Sequence, residues 1–243
     1  MKKLGQHFLV DERVLARIGD YASLNEEDRV LEIGPGTGNL TRILSARAGA
    51  VYAIEVDPGL ASSLEGRHPN VVVTRGDALK VPLPDYNKVV SNLPYQISSK
   101  ITFRLLKRPF DLAVLMYQRE FAERMVATRG SGEYGRLTLN VSFRAEAEIL
   151  EIVPRGAFRP IPQVESAIVR LRPRKTPILV DEKAFDDITR VLFSMRRKKV
   201  KRSLASMRAS SDALSRIDPD ILDRRPQELT LDEVALIVRT ISG

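Results

Sequence analysis

The sequence predicts an α/β fold, in which helices flank a mostly parallel sheet of seven strands and a small all-helical domain follows. Three observations lead to this prediction. Strand-like and helix-like segments alternate as far as about residue 175, most strand-like segments are continuous apolar runs, and a segment rich in proline and cations then interrupts the pattern. We therefore expect two domains, residues 1–175 with the sheet and residues 176–243 with helices alone.

The expected strands are short segments rich in β-branched and apolar residues. They are residues 29–33, 51–56, 71–75, 88–91, 111–117, 148–153 and 167–171. The first five are apolar enough to be covered by helices on both faces, as the strands of a parallel sheet are. The last, Ala-Ile-Val-Arg-Leu, contains a charged residue and looks closer to an edge of the sheet.

Helices are expected to connect these strands, because parallel neighbours need crossover connections. They cover residues 11–22, 38–48, 58–66, 98–107 and 119–127. Residues 172–177 then contain two prolines and three cations, and the remaining sequence is typical of helices. We place the domain boundary at this segment.

The composition excludes several kinds of site. Of 243 residues, 43% are hydrophobic and 29% are charged, so the chain has enough apolar material for a buried core. Cysteine is absent, which excludes disulfides, thiolate metal ligands and a cysteine nucleophile. The two histidines, His7 and His68, give little basis for a histidine zinc site or a Ser-His-Asp relay. Because neither a signal-like segment nor a long apolar run is seen, we expect a cytoplasmic protein.

The net charge of +8 favours a polyanionic partner. The densest cluster of cations lies in the C-terminal part, and it consists of Arg196, Arg197, Lys198, Lys199, Lys201 and Arg202. Such a cluster is either a solvated helix face or a set of phosphate contacts, and both interpretations stay open.

A glycine-rich turn follows the first strand, with the sequence Glu-Ile-Gly-Pro-Gly-Thr-Gly at residues 32–38. Glycine permits positive φ and lacks a Cβ atom, so the backbone can approach a ligand closely, and a helix begins directly after the turn. Asn39 stands where a dinucleotide-binding fingerprint has its third glycine. A pyrophosphate site is therefore disfavoured, whereas a nucleoside-like ligand is favoured.

Two acidic residues support a nucleoside-like ligand. Glu55 stands at the end of the second strand, 21 residues after Gly34, where an acid can bind ribose hydroxyls. Asp77 follows the third strand, where it could accept a hydrogen bond from an adenine amino group. For Asp77 alone, a role in a turn or a helix cap is the more common use.

The sequence Asn-Leu-Pro-Tyr at residues 92–95 ends the fourth strand, where ligands bind in open α/β sheets. An exocyclic adenine amine is a poor nucleophile because the ring delocalises its lone pair. Acceptors for its two N–H groups, the Asn92 side-chain oxygen and the Pro94 carbonyl, would help it to pyramidalise towards an electrophilic methyl group. Tyr95 offers a face on which the base can stack. The alternative is a turn that contains a packing tyrosine.

Four segments carry a resemblance to a known family: residues 4–9 (LGQHFL), 32–38 (EIGPGTG), 92–95 (NLPY) and 156–166 (GAFRPIPQVES). In this order they resemble the small-subunit ribosomal RNA adenine dimethyltransferases of the KsgA type. Residues 193–199 (FSMRRKK) with 203–204 (SL) are similar to the basic helix of that family's C-terminal domain. The resemblance implies a Rossmann-like class I methyltransferase fold and a helical rRNA-binding C-terminal domain.

The resemblance also implies an activity, which is transfer of methyl groups from S-adenosylmethionine to N6 of two adjacent adenosines near the 3′ end of small-subunit rRNA. The adenosines lie in a hairpin loop, the substrate is rRNA within a pre-ribosomal particle, and the enzyme is a monomer with a role in ribosome biogenesis. The implied catalytic residues are Asn92, Leu93, Pro94, Tyr95 and, on the other side of the target base, Phe158. The implied cofactor-binding residues are His7, Leu9, Gly34, Gly36, Glu55, Val56, Asp77, Ala78 and Asn92.

Two of these implied roles depend on the resemblance alone. His7 stands where other family members have asparagine, so its contact is through either the backbone or the ring. Phe158, without the resemblance, would be interpreted as a packing aromatic. The expected mechanism is direct in-line displacement at the sulfonium methyl, with neither a metal nor a covalent enzyme intermediate.

Alternative functions remain. The nearest is a large-subunit rRNA adenine methyltransferase of the erythromycin-resistance type, against which the Asn-Leu-Pro-Tyr form and the basic C-terminal segment argue. A DNA adenine methyltransferase is disfavoured because such enzymes usually have Asp- or Asn-Pro-Pro-Tyr. A non-catalytic assembly factor could keep the cofactor pocket, although Asn92 and Tyr95 are intact. A nicotinamide-dependent oxidoreductase fails on the glycine spacing.

Overall fold

The fold is that of a computed structural model, which describes residues 7–207 and 209–242. Its strands are β1 (Phe8–Leu9), β2 (Arg29–Ile33), β3 (Ala50–Glu55), β4 (Val71–Arg75), β5 (Lys88–Asn92), β6 (Leu112–Gln118), β7 (Ala145–Val153), β8 (Phe158–Arg159) and β9 (Ser166–Pro173). Its helices are α1 (Glu12–Ala22), α2 (Asn39–Ser45), α3 (Pro58–Leu64), α4 (Ser98–Leu105), α5 (Arg119–Met125), α6 (Arg136–Arg144), α7 (Glu182–Ser194), α8 (Val200–Ser206), α9 (Ser211–Ser215), α10 (Pro219–Asp223) and α11 (Leu231–Ser242). Every strand and helix that the sequence predicts is present, with ends that differ by up to three residues.

Seven of the strands form one sheet, in the order β4-β3-β2-β5-β6-β9-β7. The strands from β4 to β6 in this order run parallel, and β9 runs antiparallel to β6. The prediction of a mostly parallel seven-stranded sheet is confirmed. The chain runs outwards from β2 to β4 and returns to β5 on the other side of β2. Ligands of such sheets bind at this reversal, outside the carboxyl ends of the strands.

Two predictions about the edges of the sheet are wrong. β9 lies between β6 and β7, with Ile168 and Val169 fully buried. Its charged residue, Arg170, has a partner on the neighbouring β7, where the Glu148 carboxylate lies 2.5 Å away. A charged residue with such a partner does not mark an edge. In contrast, β4 was expected to be covered on both faces, but it is an edge strand in which Val72 is 54% exposed.

Helix α1 shows how local sequence and packing agree in the sheet-bearing part of the chain. Asp11 caps the helix, because its carboxylate accepts hydrogen bonds from two N–H groups of the first turn. Leu15 and Ile18 on its buried face belong to one apolar cluster with Val114 and Met116 of β6. The helix thereby covers one face of the parallel strands, which is why these strands are apolar throughout.

A separate antiparallel pair joins β1 to β8, with Leu9 opposite Phe158. Each strand is two residues long, and neither is predicted from the sequence. The pair brings the segment before α1 next to the segment that follows β7. Both segments lie near the site described below.

By its contacts the described chain divides into two compact units. One comprises the described residues up to Ala122 with Glu146–Pro173, and the other comprises Glu123–Ala145 with the described residues from Arg174 onward. This grouping differs from the single boundary predicted after residue 175, because it places α6, a helix that is not predicted from the sequence, with the C-terminal helices. Phe143 of α6 stacks on Phe185 of α7 with ring centroids 4.0 Å apart. Among the described residues, no helix has the length and apolar character of a membrane span.

Candidate active site

A cavity of about 480 Å³ lies beyond the carboxyl ends of β2, β3 and β5, a volume typical of small-molecule sites. All the predicted cofactor residues line it, namely His7, Leu9, Gly34, Gly36, Glu55, Val56, Asp77, Ala78 and Asn92. The predicted catalytic residues Leu93, Pro94 and Tyr95 line it as well. The structure thus brings these residues together, and their individual roles stay predictions.

The glycine turn after β2 is tightly packed. Gly34 and Gly36 have φ values of 70° and 58°, in the left-handed region that side chains other than glycine rarely adopt. A Cβ atom on Gly36 would lie 2.8 Å from the Phe8 ring, and one on Gly34 would lie 3.0 Å from the Pro94 ring. Both positions therefore require glycine for the backbone conformation and for space.

Glu55 ends β3 with its side chain buried. One carboxylate oxygen accepts the Gly36 N–H at 3.0 Å, and the other accepts the Asp57 N–H at 2.9 Å. Because a carboxylate oxygen can accept more than one hydrogen bond, both oxygens can still accept from a diol. Val56, the next residue, is 52% exposed and offers apolar surface beside the carboxylate.

Glu32 also lines the cavity, although no role is predicted for it from the sequence. Its buried carboxyl accepts a hydrogen bond from the Thr41 hydroxyl at 2.7 Å. Burial raises the pKa of Glu32 to about 8; the Thr41 hydrogen bond opposes this shift, and the charge of Glu55 adds to it. Near neutral pH this carboxyl is therefore mostly protonated and can donate. Glu32 belongs to the glycine motif, but its protonation depends on burial, which the sequence does not reveal.

Asp77 lies in the loop after β4. One of its carboxylate oxygens accepts the Leu79 N–H at 2.9 Å. This is a turn role, the more common use of such an aspartate. Asp77 also lines the cavity beside the buried Ala78, so contact with an adenine ring stays a prediction. Within residues 7–207 and 209–242, no group of three or more histidine, aspartate or glutamate side chains could hold a metal ion.

The loop after β5 carries the groups expected to hold an amine. Asn92 is half-buried, and its carboxamide has no hydrogen-bond partner among the described residues. The Pro94 carbonyl accepts the Ile97 N–H at 3.1 Å, which leaves one of its two lone pairs available. The Tyr95 hydroxyl lies 2.6 Å from the Ser166 hydroxyl, a contact that fixes the ring. Burial raises the pKa of Tyr95, so the phenol stays neutral at physiological pH.

Phe158 does not lie where the resemblance implies. Its side chain is 0% exposed in an apolar cluster that includes Leu9, and it does not line the cavity. The pairing of β8 with β1 directs this residue into the core, which does not fit stacking on a base and fits the alternative, a packing aromatic. A ring that does lie beside Tyr95 is that of His7, with centroids 6.4 Å apart and planes inclined by 27°.

The His7 ring is held by its Nδ1 atom, which lies 2.8 Å from the Pro160 carbonyl oxygen. Its place in the cavity is thus fixed by the segment after β8. The other motif residues before it, Leu4, Gly5 and Gln6, lie outside the described residues.

The basic cluster of the second unit does not form one helix. Arg196, Arg197, Lys198 and Lys199 connect α7 to α8, and Lys201 and Arg202 lie in the first turn of α8.

These cations fall into two groups. Arg196 donates to the Gly132 carbonyl at 2.5 Å, and Lys199 and Lys201 lie 3.1 and 2.7 Å from the Asp223 carboxylate. Arg197, Lys198 and Arg202 are exposed and have no ion-pair partner among the described residues. The sequence could not separate the two groups, because the partners lie on distant segments.

The doubly wound sheet, the glycine turn after its first strand and the acid that ends the next strand define a Rossmann-like class I methyltransferase. The model of the family described as ribosomal RNA adenine dimethylase matches residues 1–238. This chain belongs to the ribosomal RNA adenine dimethylase family.

Individual relatives agree with this assignment. A protein from Methanosarcina mazei, named "Probable ribosomal RNA small subunit methyltransferase A", is 46% identical over 97% of this chain and 91% of its own length. One of the same name from Methanothermobacter thermautotrophicus is 47% identical over 99% of this chain and 90% of its own.

Solved structures are similar across both units. A dimethyladenosine transferase from Plasmodium falciparum has a TM-score of 0.86 and 30% identity, with 97% of each chain covered. The 23S rRNA methyltransferase ErmE has a TM-score of 0.68 and 33% identity, with 96% of this chain and 99% of that chain covered.

Proposed function

We propose that this chain dimethylates N6 of two adjacent adenosines in a hairpin loop near the 3′ end of small-subunit rRNA, with S-adenosylmethionine as the methyl donor. Four transfers complete the modification. One observation carries the proposal: in a member of the ribosomal RNA adenine dimethylase family, the unpartnered Asn92 carboxamide and the Pro94 residue line the same cavity as the glycine turn. These groups suit the two N–H groups of an adenine amine.

The lining of the cavity fits S-adenosylmethionine. Glu55 offers carboxylate oxygens for the ribose hydroxyls, and the exposed Val56 offers an apolar surface for the adenine ring. Asp77 offers an acceptor for the adenine amino group, and the turn at Gly34, which lines the cavity, offers main-chain atoms against which the methionine part can lie. When bound, the cofactor supplies an electrophilic methyl group on a sulfonium centre.

The protein contributes to the reaction by orienting the amine. Asn92 Oδ1 and the free lone pair of the Pro94 carbonyl accept its two N–H groups, which concentrates the lone pair on the nitrogen and directs it into the cavity. Tyr95, fixed by Ser166, supplies a stacking face worth ~1–3 kcal/mol per base. A strong general base is not needed, because the proton can leave after the methyl transfer.

The substrate in this proposal is rRNA within a pre-ribosomal particle in the cytoplasm, bound by a monomer. We assign phosphate contacts first to Arg197, Lys198 and Arg202, because no described residue neutralises them. Charge reversal at Arg197 should weaken rRNA binding and lower the salt slope by about one or more. The control is reversal of Arg190, which is already paired with Asp187 at 2.5 Å.

Large-subunit rRNA is the second candidate substrate. The 33% identity to ErmE, a 23S rRNA methyltransferase, is the observation that favours it. The small-subunit target is favoured over it by two relatives of 46% and 47% identity whose names include the small subunit.

The test is incubation of the wild-type protein with methyl-labelled S-adenosylmethionine and either unmethylated small subunits or naked large-subunit RNA, followed by mapping of the labelled nucleotides. We expect label on two adjacent adenosines near the 3′ end of the small-subunit rRNA. Label on large-subunit RNA alone would overturn this choice of substrate. Cofactor binding without label on either RNA would indicate a non-catalytic assembly factor.

A further inference from the structure

Arg104 lies in the last turn of α4, the helix that follows the catalytic loop. Its half-buried guanidinium donates from Nη1 to the Ala78 carbonyl at 2.5 Å and from Nη2 to the Val81 carbonyl at 2.6 Å. No carboxylate pairs with it in the part of the chain that the structure describes. The two terminal nitrogens of the Arg104 guanidinium therefore bind two main-chain carbonyls of one loop.

The loop that Arg104 contacts is a closed turn on the wall of the cavity. The Lys80 and Val81 N–H groups donate to the Asp77 carbonyl at 2.8 and 3.0 Å, and Asp77 lines the cavity. At its other end, the Gly76 N–H donates to the Glu55 carbonyl at 2.8 Å. The turn is thus attached to the end of β3 on one side and to α4 on the other.

We propose that Arg104 is a positioning residue for the adenine ring of the cofactor, which it affects through the turn that carries Asp77 and Ala78. This inference rests on the proposed function, because it takes Asp77 as the acceptor for the adenine amino group. Hydrogen bonds from a charged donor are stronger than neutral ones, so two of them restrict where the turn can lie. Without them the Asp77 carboxylate loses its fixed distance to the amino group, while the groups around the reacting methyl are unchanged.

The experiment compares Arg104→Met with Arg108→Met as a matched control. Arg108 lies just after α4 and contacts the Tyr86 ring at 5.9 Å, and it makes no hydrogen bond to the turn. Calorimetry measures the Kd of each variant for S-adenosylhomocysteine and for S-inosylhomocysteine, in which oxygen replaces the purine amino group. Arg104→Lys, which keeps the charge and can reach one carbonyl, serves as a second variant should Arg104→Met fold poorly.

We expect Arg104→Met to weaken binding of S-adenosylhomocysteine about tenfold, because the hydrogen bond from the adenine amino group to the Asp77 carboxylate is lost. Binding of S-inosylhomocysteine, which has no amino group there, should weaken less than about twofold. Arg104→Lys should fall between this variant and the wild type. In turnover assays the KM for S-adenosylmethionine should rise more than kcat falls.

Equal losses for the two ligands in both Arg104 variants would overturn the inference, because a general structural role affects both alike. Unchanged binding of both ligands would overturn it too. A wild-type protein that binds neither compound would instead refute the proposed cofactor, which separates failure of the proposed function from failure of this inference.

Discussion

Replacement of Asn92 by alanine should slow methyl transfer far more than it weakens cofactor binding. The carboxamide bonds to no described group of the protein, so its removal leaves no partner unsatisfied and should change the free energy of unfolding by less than about 0.5 kcal/mol. A preorganised hydrogen bond that strengthens as charge develops is worth roughly 2.7–4 kcal/mol, which predicts a kcat that is lower by about 10²–10³.

The assay for this prediction is a single-turnover reaction with methyl-labelled cofactor and unmethylated small subunits, alongside calorimetric binding of S-adenosylhomocysteine. Asn92→Asp keeps an acceptor oxygen and should retain part of the rate. Gln96→Ala, at an exposed residue on the same cavity, is the matched control. Loss of cofactor binding with normal turnover of the complex that still forms would refute the role given to Asn92.

Three further changes test the turn, the buried acid and the core. Gly36→Ala should abolish measurable cofactor binding in calorimetry, because φ at Gly36 is 58° and the new Cβ atom would lie 2.8 Å from the Phe8 ring. The control variant Gly132→Ala should bind the cofactor normally, because a Cβ atom at Gly132 would enter open space. The raised pKa of Glu32 predicts that the free energy of unfolding falls as pH rises from about 4.5 to about 8, since the folded protein holds a proton that the unfolded chain releases. Urea titrations at several pH values measure this dependence, and Glu32→Gln should make it less steep. Lys88→Met should lower the free energy of unfolding by about 3–5 kcal/mol, because the buried Asp28 carboxylate loses its positively charged partner, the Lys88 ammonium at 2.8 Å.

Each of these three predictions has a result that contradicts it. Equal cofactor binding by the two alanine variants would show that the turn does not contact the ligand. A pH slope that survives in Glu32→Gln would place the responsible ionisation on another group. For Lys88→Met, a loss below about 1 kcal/mol, as an exposed ion pair gives, would contradict the burial of the pair.

The sequence predicts the parts of the site that depend on residues close together in the chain. Glu55 and Asn92 each end an apolar strand, and the glycine turn ends another. Because parallel strands end at the same edge of a sheet, these three signals sufficed to place the residues in one cavity. No contact between distant segments was needed for this part of the prediction.

Features that depend on distant partners could not be predicted in this way. Phe158 has a motif typical of a base-stacking residue, but its burial is set by pairing with Leu9, about 150 residues earlier. The interior place of β9 depends on its pairing with β6 on one side and β7 on the other. The proton on Glu32 depends on how completely the surrounding residues exclude water. In each case the deciding quantity is a tertiary contact, which local patterns do not encode.

The pairing of Leu9 with Phe158 has a consequence for the protein during its synthesis. Translation proceeds from the N-terminus, so β1 leaves the ribosome long before β8 exists. The wall that includes His7 and Leu9 therefore lacks its β8 partner and the Pro160 contact until residues 158–160 emerge. Nascent chains shorter than this should bind the methyl donor more weakly than the full chain, even though they already contain the glycine turn, Glu55 and Asn92. The complete wall of the cofactor site thus forms only after about two thirds of the polypeptide has been made.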